Sequence, residues 1–514
     1  MKTPCPKQKS LEPLVILIQP QFGLSGDFSR HPPLSLLYVA AALTRMAIKV
    51  EILDTRVSEE SWRESLQRLL LLKPAWIGFT VMAGYPVAHS LEISRFIKEC
   101  SDTPIVWGGA MPTVDPASCL NEKCVDFAIS GSGMESVMRL TEVILAGQTQ
   151  SEMQLKKIPG LAYKIGDKQF YNQRFRGFEP VHFREIPYQL IKDYSVYGQI
   201  GSTDRIFPIY SAYGCPYSCA FCISPALYSS FKPKWQPVSA EEVVDHIDFL
   251  QREYGATTIY FYDDDSFVSL EHIRAVVMGL KQRHINIKLN FRGARVDEIK
   301  RMDDEFLDLL SETGTEMLHI GVESGCQRIL DLFQKGIKVA DIIEINRKLA
   351  RHKKLIAAYN WIIGTPSETV AEVKQTTRLL AQLIKENPRC FIFQPNIFRV
   401  VPGSVLGETA KTMGYKAPAN LDEWIKAEIE QSISSPWLSA DIKEQIEMLQ
   451  VTAYFVDQKA ALLLKTGSIK DRLIKFASKL YQPIARFRFK SGFSGLLIEA
   501  KLFFLAQKLL KWWR

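Results

Sequence analysis

Hydrophobic positions along the chain fall into short continuous runs separated by stretches of helical period, and the alternation occurs twice. Leu14-Val-Ile-Leu-Ile18 is followed by a helical pattern over 34–46 and then by apolar runs at 50–54, 76–80, 104–107 and 125–129, with room for one helix in each gap. Runs that are apolar throughout suit strands covered on both faces, so this part reads as a doubly wound parallel sheet, whose ligands sit in loops at the carboxyl ends of the strands. From 158 to 194 the pattern turns irregular around Pro159, Pro180 and Pro187 and reads as a connector. A second series gives candidate strands at 207–213, 258–263, 287–292, 317–323, 356–363 and 391–398, with helical patterns such as 240–254 and 303–312 between them. Six β/α units are too few for a closed eight-fold barrel and predict an open, partial one. Past about residue 410 the pattern is helical only. The expected class is α/β, with a Rossmann-like domain at 1–157, the connector at 158–194, a partial (β/α)6 barrel at 195–410 and a helical C-terminal domain at 411–514.

Composition narrows the class without changing it. At 514 residues, 46% hydrophobic and 23% charged, the chain is an ordinary multi-domain globular protein, which argues against disorder, collagen or many membrane spans. The apolar run at 14–18 breaks at Gln19-Pro20 without a small-residue cleavage site, so it reads as a buried strand and not a signal peptide. Six of the nine cysteines are scattered and three are clustered, which is no disulfide framework and fits the reducing cytoplasm.

Charge is uneven. Of the net +8, residues 465–514 carry +10 and leave −2 for the rest. A basic tail on a near-neutral body suggests a local anionic partner and no nucleic acid. On a helix, Lys501, Gln507, Lys508 and Lys511 share one arc opposite Leu502, Phe503, Leu505, Leu509, Leu510 and Trp513, with Trp512 at the end and Leu497 and Phe504 interrupting the polar side. This resembles an interfacial helix on an anionic membrane surface, peripheral on its inner face; the alternative is a helix packed on the barrel with a solvated basic face.

The sharpest chemical signal is Tyr213-Gly-Cys-Pro-Tyr-Ser-Cys-Ala-Phe-Cys222, which puts Cys215, Cys219 and Cys222 in one loop after the first barrel strand. Structural zinc takes four ligands and no fourth Cys or His stands at suitable spacing, whereas three thiolates suit a 4Fe-4S cluster with one open iron. This Cys-x-x-x-Cys-x-x-Cys motif, with Phe221 before the last cysteine, resembles that of the radical S-adenosylmethionine (SAM) superfamily. The resemblance implies that the open iron is chelated by SAM and that the reduced cluster cleaves it to a 5′-deoxyadenosyl radical, within a six-unit partial barrel. It further implies SAM contacts from Glu323 and Ser324 in Gly321-Val-Glu-Ser-Gly325, and from Asp264 in the triplet Asp263-Asp-Asp265. Alternation places Met317, His319, Gly321 and Glu323 on one face of their strand, pointing into the barrel. His319 is either lining there or a satisfied core histidine, and the aspartates either order SAM or cap the next helix. Asn290 and Arg292 share a face as polar lining. Gly364-Thr-Pro-Ser-Glu368 resembles the family's Gly-x-Pro-Gly-Glu loop, with Ser367 in place of glycine.

In the N-terminal sheet the glycine-bearing loops follow the strands: 80–84 after the third, Gly108-Gly109 after the fourth and Gly131-Ser-Gly133 after the fifth. Glycine there serves either tight turns or close approach of backbone to a ligand. No Gly-x-Gly-x-x-Gly follows the first strand, so a nicotinamide site is not expected. Pro32-Pro-Leu-Ser-Leu-Leu-Tyr-Val-Ala-Ala-Ala-Leu43, Gly108-Gly-Ala-Met-Pro-Thr113 and Gly131-Ser-Gly133 resemble the cobalamin-binding domain that precedes the barrel in a radical SAM branch, the one that includes the magnesium-protoporphyrin cyclases and class B methyltransferases. That resemblance implies cobalamin held by Thr80, Gly108, Gly109, Gly131 and Gly133. Two departures stand out: Asp-x-His-x-x-Gly is absent, so no histidine is expected below the cobalt, and the family's Gly-Glu-Gly-Glu reads Gly131-Ser-Gly-Met134.

The expected function is transfer of a methyl group from methylcobalamin to an unactivated carbon of a small-molecule or lipid-like substrate, with electrons from a reductase, flavodoxin or ferredoxin. A cobalamin-associated cyclase or other oxidative rearrangement of a lipid-like or tetrapyrrole-like substrate is the enzymatic alternative. A non-enzymatic cobalamin or redox sensor is the third.

Overall fold

The computed structural model of the chain describes residues 12–23, 29–58, 60–199, 203–229, 231–401, 403–429, 435–457, 459 and 469–495. It divides into two compact units, one made of residues up to 200 together with 418–429 and the other of 201–417 with the residues from 430 onward. The interfacial helix expected around 501–513 lies outside the described residues.

In the first unit β1 (Leu14–Gln19), β2 (Lys49–Asp54), β3 (Trp76–Thr80), β4 (Ile105–Gly108) and β5 (Phe127–Ile129) are all parallel, in the order β2-β1-β3-β4-β5. β1 is buried along its whole length, as its uninterrupted apolar run requires. Two further strands, β6 (Leu161–Ile165) and β7 (Lys168–Tyr171), continue the sheet antiparallel beyond β5. They correct the reading of 158–194 as a connector. The hairpin is two short strands around Gly166, whose φ of +59° makes the turn, and alternation over so few residues is hard to see among the prolines.

Helix Leu421–Ile429 also belongs to this unit and not to a C-terminal helical domain. Leu421 lies in its core with Trp424 and Ile425 packed against it, and Trp424 Nε1 donates to Asp115 at 3.0 Å. Strand order reverses between β1 and β3, so the loops that follow them leave a crevice at the sheet's carboxyl edge.

In the second unit β8 (Ile206–Ile209), β11 (Thr258–Phe261), β12 (Lys288–Arg295), β13 (Thr315–Glu323), β14 (Ile356–Ile363) and β15 (Phe391–Ile392) run parallel in that order, with β16 (Asn396–Ile397) also on β14. This is the predicted half-barrel, with two refinements. The strand expected at 207–213 ends at Ile209, and β9 (Ala212–Gly214) turns off to pair antiparallel with β10 (Trp235–Pro237). The break has a visible cause: the Asp263 carboxylate accepts from the Ser211 and Ala212 amides, at 2.7 and 3.1 Å. The strand expected at 391–398 is interrupted at Phe393, whose carbonyl accepts from Trp361 Nε1 at 2.7 Å.

Amphipathic helices cover the outer face. Ala240–Tyr254 is capped by Ser239, whose hydroxyl accepts from the Glu242 amide, and ends at Gly255 in the left-handed region. Among the described residues no helix is long and apolar enough to cross a membrane.

Candidate active site

Cys215, Cys219 and Cys222 are free, half-buried and carried on the loop that follows β9. The loop is fixed from below: the Ala220 amide donates to the Phe333 carbonyl and the Ala220 carbonyl accepts from Leu406, both at 2.9 Å. Ala220 thereby enters a small core with Ile329, Phe333 and Phe398, and the Phe221 ring meets Phe333 edge to face at 4.9 Å. The Ser224 amide donates to Cys222 Sγ at 3.4 Å.

Cations stand beside the sulfurs. Arg295, at the end of β12, donates through Nη1 to Cys219 Sγ at 3.4 Å while its guanidinium lies 3.9 Å over the Tyr217 ring. Lys335 Nζ pairs with Glu323 at 2.6 Å, with both groups buried, and lies 5.8 Å from the centre of the Phe221 ring. Burial pushes the Cys215 thiol up to about 12. It raises Cys219 too, against the pull of Lys335 and Arg295. Binding iron is what converts such thiols to thiolates. Among the described residues no three His, Cys, Asp or Glu side chains converge where a single metal ion would sit. A cuboidal cluster asks for no such convergence, because each cysteine takes its own iron. Three half-buried thiols without a fourth protein ligand among the described residues, next to fixed positive charge, fit an iron–sulfur cluster with one open position.

The aspartate triplet separates into three jobs. Asp263 holds the approach to the cysteine loop through Ser211 and Ala212, and burial raises its carboxyl to about 6. Asp264 is exposed and accepts from the Tyr228 hydroxyl at 2.8 Å and the Ser224 hydroxyl at 3.4 Å, both from the segment just after Cys222. Asp265 is buried against Glu298, and burial raises both carboxyls, with the Glu298 charge pushing Asp265 up further. Glu298 also accepts from the Tyr217 hydroxyl at 2.6 Å and the Arg295 amide at 3.0 Å.

Glu323 ends β13 with φ of +57°, after a bulge at Val322. A side chain at Gly321 would stand 2.3 Å from Glu323 Oε1 and 2.7 Å from Lys335 Nζ, so the ion pair fills the space that this glycine leaves. Ser324 is fully buried, and its hydroxyl lies between Thr376 Oγ1 and the Cys326 amide, so it secures the strand end. His319 stacks on Phe393 at 5.3 Å, and burial lowers its pKa to about 4, which leaves it neutral. Arg292 is exposed over the Tyr262 ring. In the loop after β14, Ser367 has φ of +68°, which explains why a glycine is expected there, and Glu368 accepts from the Gly364 and Thr365 amides. The other Glu368 oxygen is buried without a partner.

Sequence reasoning missed Arg295, Lys335, Glu298, Tyr217 and Tyr228. Their roles come from pairings across the fold, for which a single sequence carries no signal.

In the first unit the loops at the sheet's carboxyl edge hold the residues expected there. Thr80 Oγ1 accepts from Ser35 at 3.3 Å. Gly109, with φ of +101°, brings its backbone so close to β3 that a Cβ would lie 2.9 Å from the Val81 amide nitrogen. Gly108 differs, since a side chain there would meet only the Phe79 carbonyl at 3.7 Å. Gly131, with φ of +83°, donates its amide to Thr113 Oγ1 at 2.9 Å. Gly133 precedes helix Met134–Leu145, whose first amides, Met134 and Glu135, donate to Glu179 at 3.3 and 2.8 Å. Glu179 thus supplies a carboxylate near the loop in which Ser132 replaces the family's glutamate. Met82 and Tyr85, half exposed beside the β1 and β3 loops, give the crevice an apolar flank. Open room over Gly108 and that flank fit a large flat ring.

Comparison with known proteins places both units. Residues 28–141 match the B12 binding domain and residues 209–380 the radical SAM superfamily. An uncharacterised methyltransferase of Pyrococcus horikoshii is 26% identical over 77% of this chain and 83% of its own length. The cytidylyl-2-hydroxyethylphosphonate methyltransferase of Streptomyces wedmorensis is 24% identical over 70% of this chain and 75% of its own. The fold is shared with the radical SAM methyltransferase TsrM of Kitasatospora setae, a structure holding cobalamin and a 4Fe-4S cluster, at a TM-score of 0.64 and 17% identity over 80% of this chain and 81% of that one.

Proposed function

The chain belongs to the radical SAM superfamily and carries a B12-binding domain ahead of its barrel, and from that premise we propose that it is a cobalamin-dependent methyltransferase acting on an unactivated carbon. The observation that carries the reading is the loop with Cys215, Cys219 and Cys222 at the mouth of a six-stranded parallel half-barrel, in a chain that also has a B12-binding domain. When bound, the cluster with SAM supplies a carbon-centred radical and cobalamin carries the methyl group.

The chain's own residues do the rest. The three cysteines hold iron, and Phe221 packs the loop against Phe333 so that the sulfurs keep their places. Asp264, exposed at the end of β11, receives the amino group of SAM, while Glu323, fixed by Lys335, borders its ribose and methionine. Ser324 keeps that strand end in position. In the first unit Thr80, Gly108, Gly109, Gly131 and Gly133 line the seat of the corrin and its tail. The substrate is small or lipid-like, electrons come from a flavodoxin, ferredoxin or reductase, and the setting is the cytoplasm, at the inner face of an anionic membrane.

Anaerobic assay with a strong reductant tests this. Wild-type protein is expected to form deoxyadenosine together with S-adenosylhomocysteine, and Cys215→Ala, Cys219→Ala or Cys222→Ala to form neither. Normal turnover in any of these variants would sink the cluster assignment. Deoxyadenosine without S-adenosylhomocysteine would turn the reading to a cyclase-type reaction, and no SAM cleavage at all in iron-replete protein would leave a sensor.

A further inference from the structure

Helix Ile469–Ser491 has three distinct sides. One is buried: Ala485 and Phe489 are fully covered, Phe489 meets Trp361 edge to face at 5.9 Å, and the helix packs on helices Val370–Glu386 and Ala440–Thr452. Arg488 turns inward as well, donating to the Phe493 and Gly495 carbonyls at 3.0 and 2.9 Å, so the helix end is fixed to the loop after it.

The outer side is apolar. Phe476, Leu480, Ile484 and Phe487 are 69%, 71%, 51% and 62% exposed. At 3.6 residues per turn they fall within an arc of about 80°. Phe493, 48% exposed, extends the patch, its ring 6.4 Å from that of Phe487. Large apolar side chains exposed in a continuous row mark a surface that meets something.

The third side says what. Arg472, Lys475, Lys479, Arg486 and Lys490 occupy about 60° directly beside the apolar arc. Asp471 is the only acidic residue in the helix. At the basic edge a cavity of about 480 Å³ opens between this helix and Val370–Glu386, lined by Ile384, Val456 and Phe489 together with Lys385, Lys490 and Arg486, whose Nε donates to the Val456 carbonyl at 2.9 Å. A pocket lined by apolar side chains and three cations suits an anionic amphiphile. A second copy of the chain is a poor occupant, because a two-fold contact would bring the same cationic row against itself.

We propose that helix Ile469–Ser491 lies on an anionic phospholipid surface, with Phe476, Leu480, Ile484 and Phe487 entering the headgroup–acyl boundary and its cationic row, with Lys385, meeting the lipid phosphates. Apolar side chains inserted beside a basic row are the recognised chemistry of helices that lie in the membrane plane. The inference deepens the membrane part of the reading above by giving it a surface. It does not rest on the radical chemistry.

The test is sedimentation of the full-length protein with vesicles of phosphatidylcholine alone or mixed with phosphatidylglycerol. Wild-type protein is expected to bind only the mixed vesicles and to be released by salt. The triple variant Phe476→Ser, Leu480→Ser, Phe487→Ser and the triple variant Lys475→Glu, Lys479→Glu, Lys490→Glu are each expected to lose binding by on the order of a hundredfold. Both should keep wild-type deoxyadenosine formation, which separates this result from the proposed reaction. Indifference of the wild-type protein to the mixed vesicles overturns the proposal. So does wild-type binding by the apolar variant, which would move the contact to another segment. A wild-type dimer that the apolar variant dissolves would assign the face to a second copy and overturn it equally.

Discussion

Arg295 makes more contacts to the cysteine loop than any sequence pattern suggested. One guanidinium touches Cys219 Sγ, stacks on Tyr217 and reaches the Lys335 carbonyl. A hydrogen bond and a positive charge at a cluster sulfur stabilise the reduced state and raise its potential. Arg295→Met is therefore expected to retain iron but to show a more negative midpoint potential by electron paramagnetic resonance titration, with Arg295→Lys in between. An unchanged potential in the Met variant would limit Arg295 to packing.

Glu368 gives a prediction about stability. Burial raises its carboxyl from 4.5 to about 7. The folded protein holds that proton more tightly than the unfolded chain, so its share of stability is complete below about pH 4.5 and is lost as the pH rises to about 7. Glu368→Gln keeps an acceptor for the Gly364 and Thr365 amides and mimics the neutral form. Thermal midpoints of the variant should fall less steeply across that window than those of the wild type, by an amount worth up to roughly 3 kcal/mol. Equal slopes would show that Glu368 is neutral or solvated throughout. Neither role could be read from sequence, because the pattern along a strand reports which face a residue is on and not which distant group meets it.

At the scale of elements, the loops at the carboxyl edge of the first sheet separate two uses of glycine that the sequence left open. Gly109 is needed by its neighbours: a methyl group would press on Val81, in a backbone conformation that alanine avoids. Gly109→Ala should cost about 2 kcal/mol or more of stability even without cobalamin, measured by thermal unfolding. Gly108 has no such constraint, so Gly108→Ala should leave that stability nearly unchanged while lowering cobalamin bound per polypeptide. Full cobalamin loading in Gly108→Ala would remove this glycine from the cofactor seat.

The strands themselves were largely legible. β1 and β3 lie in runs that are apolar throughout, since burial on both faces leaves that mark, while β12 and β13 alternate, with Leu289 and Phe291 of one and Leu318, Ile320 and Val322 of the other buried. The hairpin of β6 and β7 left none, because its strands are short and one is largely solvated. The end of β8 was missed for a different reason: it is imposed by Asp263, more than fifty residues away in the chain.

For the whole molecule, the sequence placed the two ligand-bearing sheets in the right order and misjudged their borders. A basic, apolar C-terminal region was also evident, but the expectation centred on 501–513, whereas helix Ile469–Ser491 presents the sharper surface among the described residues. The exposed row at spacings of four, four and three residues was there to be read, yet only the structure tells it from the buried row on the opposite side. The border that no pattern could reveal is the return of Leu421–Ile429 to the first unit.

That return has a consequence for synthesis. The sheet leaves the ribosome early, but the helix that adds Leu421 to its core, with Trp424 and Ile425 packed against it, is made only after residues 201–417. At about 5–20 residues per second the nascent first unit waits on the order of ten to forty seconds for its last element. Until then the first unit lacks Leu421 from its core, and transiently exposed apolar surface of that kind is where a nascent chain is prone to aggregate.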